Sequence, residues 1–136
     1  MDHLSASWAA PDLAAFQHMA ETARDSLPEP YRSAAMEVVI RVEDFAPDDL
    51  LDALEVENPF ELTGLYDGIP LTEKSVTDQP IGPDTIWLFR RPILDEWAER
   101  DGETLGHLIG HVFIHELAHH FGWTDEDIAR IDPWWE

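Results

Sequence analysis

His115-Glu116-Leu117-Ala118-His119-His120-Phe121-Gly122-Trp123-Thr124-Asp125 is the most informative run of the 136-residue chain. On a helix, side chains four positions apart lie on one face about one turn apart. His115 and His119 can therefore present two imidazole nitrogens to one tetrahedral ion. Glu116 follows the first imidazole directly and sits beside that face, where a carboxylate suits a base acting on metal-bound water. Leu117 and Ala118 fall on the opposite side and pack the helix into a core. An open catalytic zinc site takes three protein ligands and a water, so two imidazoles leave it one ligand short. Gly122 can take the left-handed conformation that reverses the chain. Asp125 stands just beyond that turn as the expected third ligand, with Glu126 and Asp127 as rivals. The plainer alternative is a helix whose histidines decorate a surface or satisfy core polar contacts. The apolar flanks, the helix-breaking glycine and the carboxylate after it weigh against that alternative.

Working outward, Thr104 caps a long helix running to about Phe121, and Thr124 caps a last short helix to Ile131. Upstream, Leu13, Phe16, Met19, Ala20, Ala23 and Leu27 have helical spacing, opened by Pro11 and Asp12 and stopped by Pro28-Glu29-Pro30. The β-branched run Val38-Val39-Ile40-Arg41-Val42 predicts a strand. Pro47 to Leu54 predicts one or two helical turns. Phe60 to Leu71 is strand-like with Asp67-Gly68 as a tight-turn signal. Glu73 to Pro83 is polar and irregular, a loop. Ile86-Trp87-Leu88-Phe89 is a second strong strand, and Pro92 opens a short helix through Trp97. Helices at both ends of a small sheet make an α+β domain.

Composition bounds the chemistry. A chain of 136 residues with 44% hydrophobic residues, six Trp and six Phe suffices for one domain with its own core. It contains no cysteine, which removes disulfides, thiolate metal sites and thiol nucleophiles, so a metal must be held by His and carboxylate. Twenty-nine acidic residues against eight basic ones give a formal net charge of −21. Such a surface repels nucleic acid and anionic membranes. No apolar run approaches membrane-spanning length and the first residues lack the pattern of a signal peptide, so a soluble, cytoplasmic protein is expected.

The extended pattern H-E-x-x-H-x-x-G-x-x-D resembles that of the aspzincins, with Asp125 where metzincins place a third histidine. The chain is similar to a family of small acidic bacterial zincin-like metallopeptidases with a minimal zincin fold. The shared motifs are His115 to Gly122 and Gly64-Leu65-Tyr66-Asp67-Gly68-Ile69-Pro70-Leu71-Thr72. The resemblance covers most of the chain from Leu13 onward. It implies an N-terminal helix, a small mixed sheet and an active-site helix without a large second subdomain. It also implies Zn²⁺ bound by His115, His119 and Asp125, with Glu116 as general base and a peptide or protein as substrate.

An oxyanion needs a donor, and Tyr66 is the candidate, against a plain role as a packed tyrosine. A peptide could add to the edge of the strand containing Gly64 to Tyr66. His107 and His111 extend the row of histidines but drift roughly 40° per four-residue step, which favours packing or hydrogen bonding to ligands over a second metal along the row. His120 is expected to be a core or supporting residue. Trp123, Trp134 and Trp135 are expected to anchor the chain end rather than line a specificity pocket. Asp44, Asp48, Asp49 and Asp52 lack the spacing of a calcium loop. Two other functions stay open: a non-catalytic zinc-binding or interaction domain, and a zinc hydrolase of a non-peptide amide or ester.

Overall fold

The computed structural model describes residues 10–67 and 84–131. The elements among them are α1 (Leu13–Asp25), α2 (Tyr31–Ala35), β1 (Val39–Glu43), α3 (Asp48–Ala53), a 3₁₀ turn (Pro59–Glu61), β2 (Gly64–Asp67), β3 (Thr85–Phe89), α4 (Arg90–Ala98), α5 (Leu105–Phe121) and α6 (Asp125–Ile131). The strands form one mixed sheet in the order β1-β3-β2. β1 runs parallel to β3, with Ile40 opposite Ile86, and β2 runs antiparallel to it, with Tyr66 also opposite Ile86. The expected α+β architecture is present, and the sheet is small and mixed as the resemblance implies.

The central strand explains its own sequence. Ile86 and Leu88 face the main core, with Phe16 and Ala20 of α1, Ile40 of β1, and Leu108, Val112, Phe113 and Leu117 of α5. Phe89 faces the other way, into a smaller cluster with Ala46 and Leu51 that Leu65 and Trp87 border. A strand covered on both faces has no need for polar alternation, so Ile86 to Phe89 is continuously apolar. α5 packs on both the sheet and α1, and α1 also meets β1. At its crossing with α1, a β-carbon on Gly110 would stand 3.4 Å from the Ala23 β-carbon.

Several boundaries differ from the sequence expectation. α1 begins at Leu13, because the Asp12 carboxylate accepts from the Ala15 N–H at 2.9 Å and caps it. α2 was not anticipated; five residues after Pro30 are too few to display a helical period. α4 starts at Arg90, straight out of β3, and Pro92 is its third residue, where no intrahelical N–H is needed. The segment from Phe60 is not one strand. Asn58 caps the 3₁₀ turn by accepting from the Phe60 N–H at 3.1 Å, and pairing begins only at Gly64. The predicted Asp67-Gly68 turn, the loop to Pro83, and Trp134 and Trp135 fall wholly or partly outside the described residues. No helix among the described residues is long and apolar enough to cross a membrane.

Gly106 lies in the first turn of α5, and nothing stands within 4 Å of a β-carbon built there. Gly106→Ala is expected to stabilise the protein by about 0.4–1 kcal/mol, by reducing the freedom of the unfolded chain. The urea midpoint should rise with an unchanged slope; a fall would show that α5 is not an ordinary helix at that point.

Candidate functional site

α5 is fixed at both ends by its sequence. Thr104 Oγ1 accepts from the His107 N–H at 3.1 Å, closing the first turn. At the other end Gly122 is left-handed, with φ 66° and ψ 34°, and its N–H donates to the Ala118 carbonyl at 2.8 Å. A non-glycine residue would be strained there. Between these ends, Leu117 and Ala118 are buried as expected, and His115, Glu116 and His119 lie toward the opposite side.

Glu116 and His119 are brought together. His119 Nδ1 is 3.4 Å from Glu116 Oε1, with the imidazole 68% exposed and the carboxylate only 16% exposed. Burial raises the Glu116 pKa above the ordinary carboxylate value. His119, a hydrogen bond from the Tyr66 backbone N–H, and His115 each pull it down less strongly. The half-buried His115 ring packs on His111, with centroids 4.3 Å apart, so His111 supports the row. His107 Nδ1 lies 2.8 Å from Glu103 Oε2, a turn nearer the start of the helix.

Strand β2 closes over α5 because it carries a glycine at the contact. A β-carbon on Gly64 would stand 2.7 Å from Val112 Cγ1, 3.3 Å from the Trp87 carbonyl oxygen and 3.4 Å from Glu116 Cγ. Two residues along, Tyr66 puts its hydroxyl 3.0 Å from Nδ1 of the buried His120. That same nitrogen is 3.5 Å from Asp84 Oδ2, at the entrance to β3. His120 is the core residue the sequence suggested. Asp84 was missed, since a carboxylate at the end of a polar loop gives no periodic signal.

The three candidate carboxylates after Gly122 separate clearly. Asp127 is committed to structure. It accepts from the Thr124 N–H and hydroxyl at 3.1 and 3.0 Å, and from the Tyr31 hydroxyl at 2.9 Å. The Thr124 hydroxyl in turn accepts from the Asp127 N–H at 3.1 Å, a reciprocal cap on α6. The Thr124 backbone bond, the Tyr31 and Thr124 hydroxyls, and Arg130 hold the Asp127 pKa low. Asp125 and Glu126 are exposed in the first turn of α6. Among the described residues, no three His, Asp or Glu side chains stand gathered as a ready group for an ion. The donor types fit zinc all the same: imidazoles one turn apart, carboxylates beyond the bend, and no thiol in the chain. Trp123 does anchor this end, stacking on Phe121 with centroids 5.3 Å apart and meeting Tyr31 edge-on at 4.9 Å.

Residues 35–135 match the family model of the zincin-like metallopeptidases. The chain belongs to that family. The matched segment starts at the last residue of α2 and runs past α6, so it takes in the whole sheet and the motif helix, while α1 precedes it. Membership in the zincin-like metallopeptidases suggests a zinc-dependent hydrolase. No curated protein matches the chain.

Proposed function

We propose that this chain is a zinc-dependent peptidase in which Glu116 is the general base, His115 and His119 hold the metal, and Asp125 supplies the third ligand. The observation that carries this is the setting of Glu116: nearly buried, 3.4 Å from His119, and fixed by the Tyr66 backbone N–H of β2. A purely structural metal site has no use for a carboxylate held in that way, whereas a base benefits from a raised pKa and a fixed aim. Bound zinc would supply Lewis acidity, polarising the scissile carbonyl and easing deprotonation of water near neutrality.

The remaining work belongs to the protein. Glu116 takes a proton from the attacking water and passes it to the leaving amine. Tyr66 donates a hydrogen bond to the carbonyl oxygen as it gains charge. Among the described residues β2 pairs with β3 on one side only, so an extended peptide can add along Gly64–Asp67 and pass over the motif helix.

Metal analysis followed by a peptide-library digest tests the reading. Cleavage should stop with chelator and return with zinc; a protein that takes up zinc yet cleaves no peptide would sink it. Asp125→Ala should lose zinc faster on dialysis than wild type. Unchanged zinc content would transfer the third-ligand role to Glu126, since Asp127 is held by Thr124 and Tyr31.

A further inference from the structure

β1 meets β3 along one edge, and among the described residues no strand pairs with its other edge. The Val39 N–H donates to the Asp84 carbonyl at 2.9 Å, so the Val39 backbone faces β3. Backbone groups of successive strand residues point to alternate sides, which turns the N–H and C=O of Ile40 and Val42 outward. Outward groups in a row are a template for a further strand, and a second copy of the chain carries the same edge. One of those groups is already taken. Gln17, on α1, donates from Nε2 to the Ile40 carbonyl oxygen at 3.0 Å. The same nitrogen donates to Glu21 Oε2 at 3.1 Å, one turn along the helix. The two hydrogens of the amide thereby serve the strand and the carboxylate. Turned the other way, the amide would set its oxygen against a carbonyl and a carboxylate, three acceptors together. Glu21 thus fixes which end of Gln17 meets the strand.

We infer that Gln17, aimed by Glu21, guards the outer edge of β1 and keeps two copies of this chain from joining their sheets edge to edge. Ile40 lies inside the five-residue strand, so a partner pairing along its full length meets the amide. The net charge of −21 also holds copies apart, but through a field that salt screens. The amide acts at contact and is indifferent to that screening. A pairing about a two-fold axis that spans the strand uses the Ile40 carbonyl of each copy, so two guards must lift for one dimer.

Sedimentation of the whole chain over a concentration series tests this, in salt high enough to screen the net charge. Two variants are compared with wild type. Gln17→Ala removes the amide and is a good helix former. Gln17→Lys keeps a donor on a side chain of similar reach and puts a charge beside the edge. One hydrogen bond contributes roughly two- to tenfold to an equilibrium constant. Losing two guards should therefore raise the dimerisation constant of Gln17→Ala about 5–100-fold over wild type, while Gln17→Lys stays as monomeric as wild type. Backbone hydrogen exchange locates the contact. The Ile40 and Val42 amides should exchange more slowly as Gln17→Ala is concentrated, and at an unchanged rate in wild type.

A folded Gln17→Ala protein that associates no more than wild type overturns the inference. Association that leaves the Ile40 and Val42 amides unprotected overturns it too, because the contact then lies elsewhere. So does a Gln17→Lys protein that associates as strongly as Gln17→Ala, since the donor would then not be what keeps the edge free.

Discussion

Glu116→Gln protein is expected to keep its zinc and cleave a sensitive peptide about 10²–10⁴-fold more slowly than wild type. Glutamine has the same shape, and its amide oxygen can still accept from the Tyr66 N–H that bonds Glu116. What it cannot do is take a proton from water. Equal cleavage rates in the two proteins would remove Glu116 from the role of base, whatever the zinc content. The metal-free proteins give a second readout that needs no substrate. Burial, the largest influence, raises the Glu116 pKa in the folded state above its ordinary value. The folded protein therefore binds the proton more tightly than the unfolded chain does. The associated stability is fully present below the unfolded value and is lost as pH rises through the raised folded one. Metal-free Glu116→Gln, which never ionises, should thus gain on wild type in urea midpoint between the ordinary glutamate range and neutrality. The gain should shrink toward pH 4; a gain that grows on acidification would refute burial as the cause.

Gly64→Ala is the other large effect. Its β-carbon would lie 2.7 Å from Val112 Cγ1, a distance real β-carbons do not occupy. Valine is stiff about its first side-chain bond and cannot simply swing away. The Trp87 carbonyl at 3.3 Å closes the route past β3. Either β2 lifts from α5 or α5 shifts, at a cost of about 1–3 kcal/mol. The shift should also reach Glu116, whose Cγ is the third neighbour at 3.4 Å. Lower thermal stability and lower kcat are expected together. Adding Val112→Ala should return part of the stability, as a coupling seen in a double-mutant cycle. Strictly additive losses would mean that the close approach of strand and helix is not what Gly64 permits.

Much of the architecture was legible because local rules and tertiary packing agree. Thr104 and Gly122 cap α5 where they were expected to, and β3 lies where its apolar run predicts a strand. Legibility failed where a residue's role depends on something distant. Nothing near Tyr31 announces that its hydroxyl will meet Asp127, nor does Asp84 announce His120. The motif gave the helix face and Glu116, whose backbone neighbour on β2 emerged only from the fold. Spacing also left three carboxylates after Gly122 equivalent. The cap between Thr124 and Asp127 breaks that equivalence by chemistry that spacing does not encode.

The Tyr31 hydroxyl bridges 96 positions to reach Asp127, and Tyr31 precedes residue 35, where the family match begins. A fragment trimmed to the matched segment would retain every candidate ligand but forfeit both α1, whose Phe16 and Ala20 fill the core, and the strut that braces the bend after His119. Its failure would then masquerade as poor metal retention, with no coordinating atom altered.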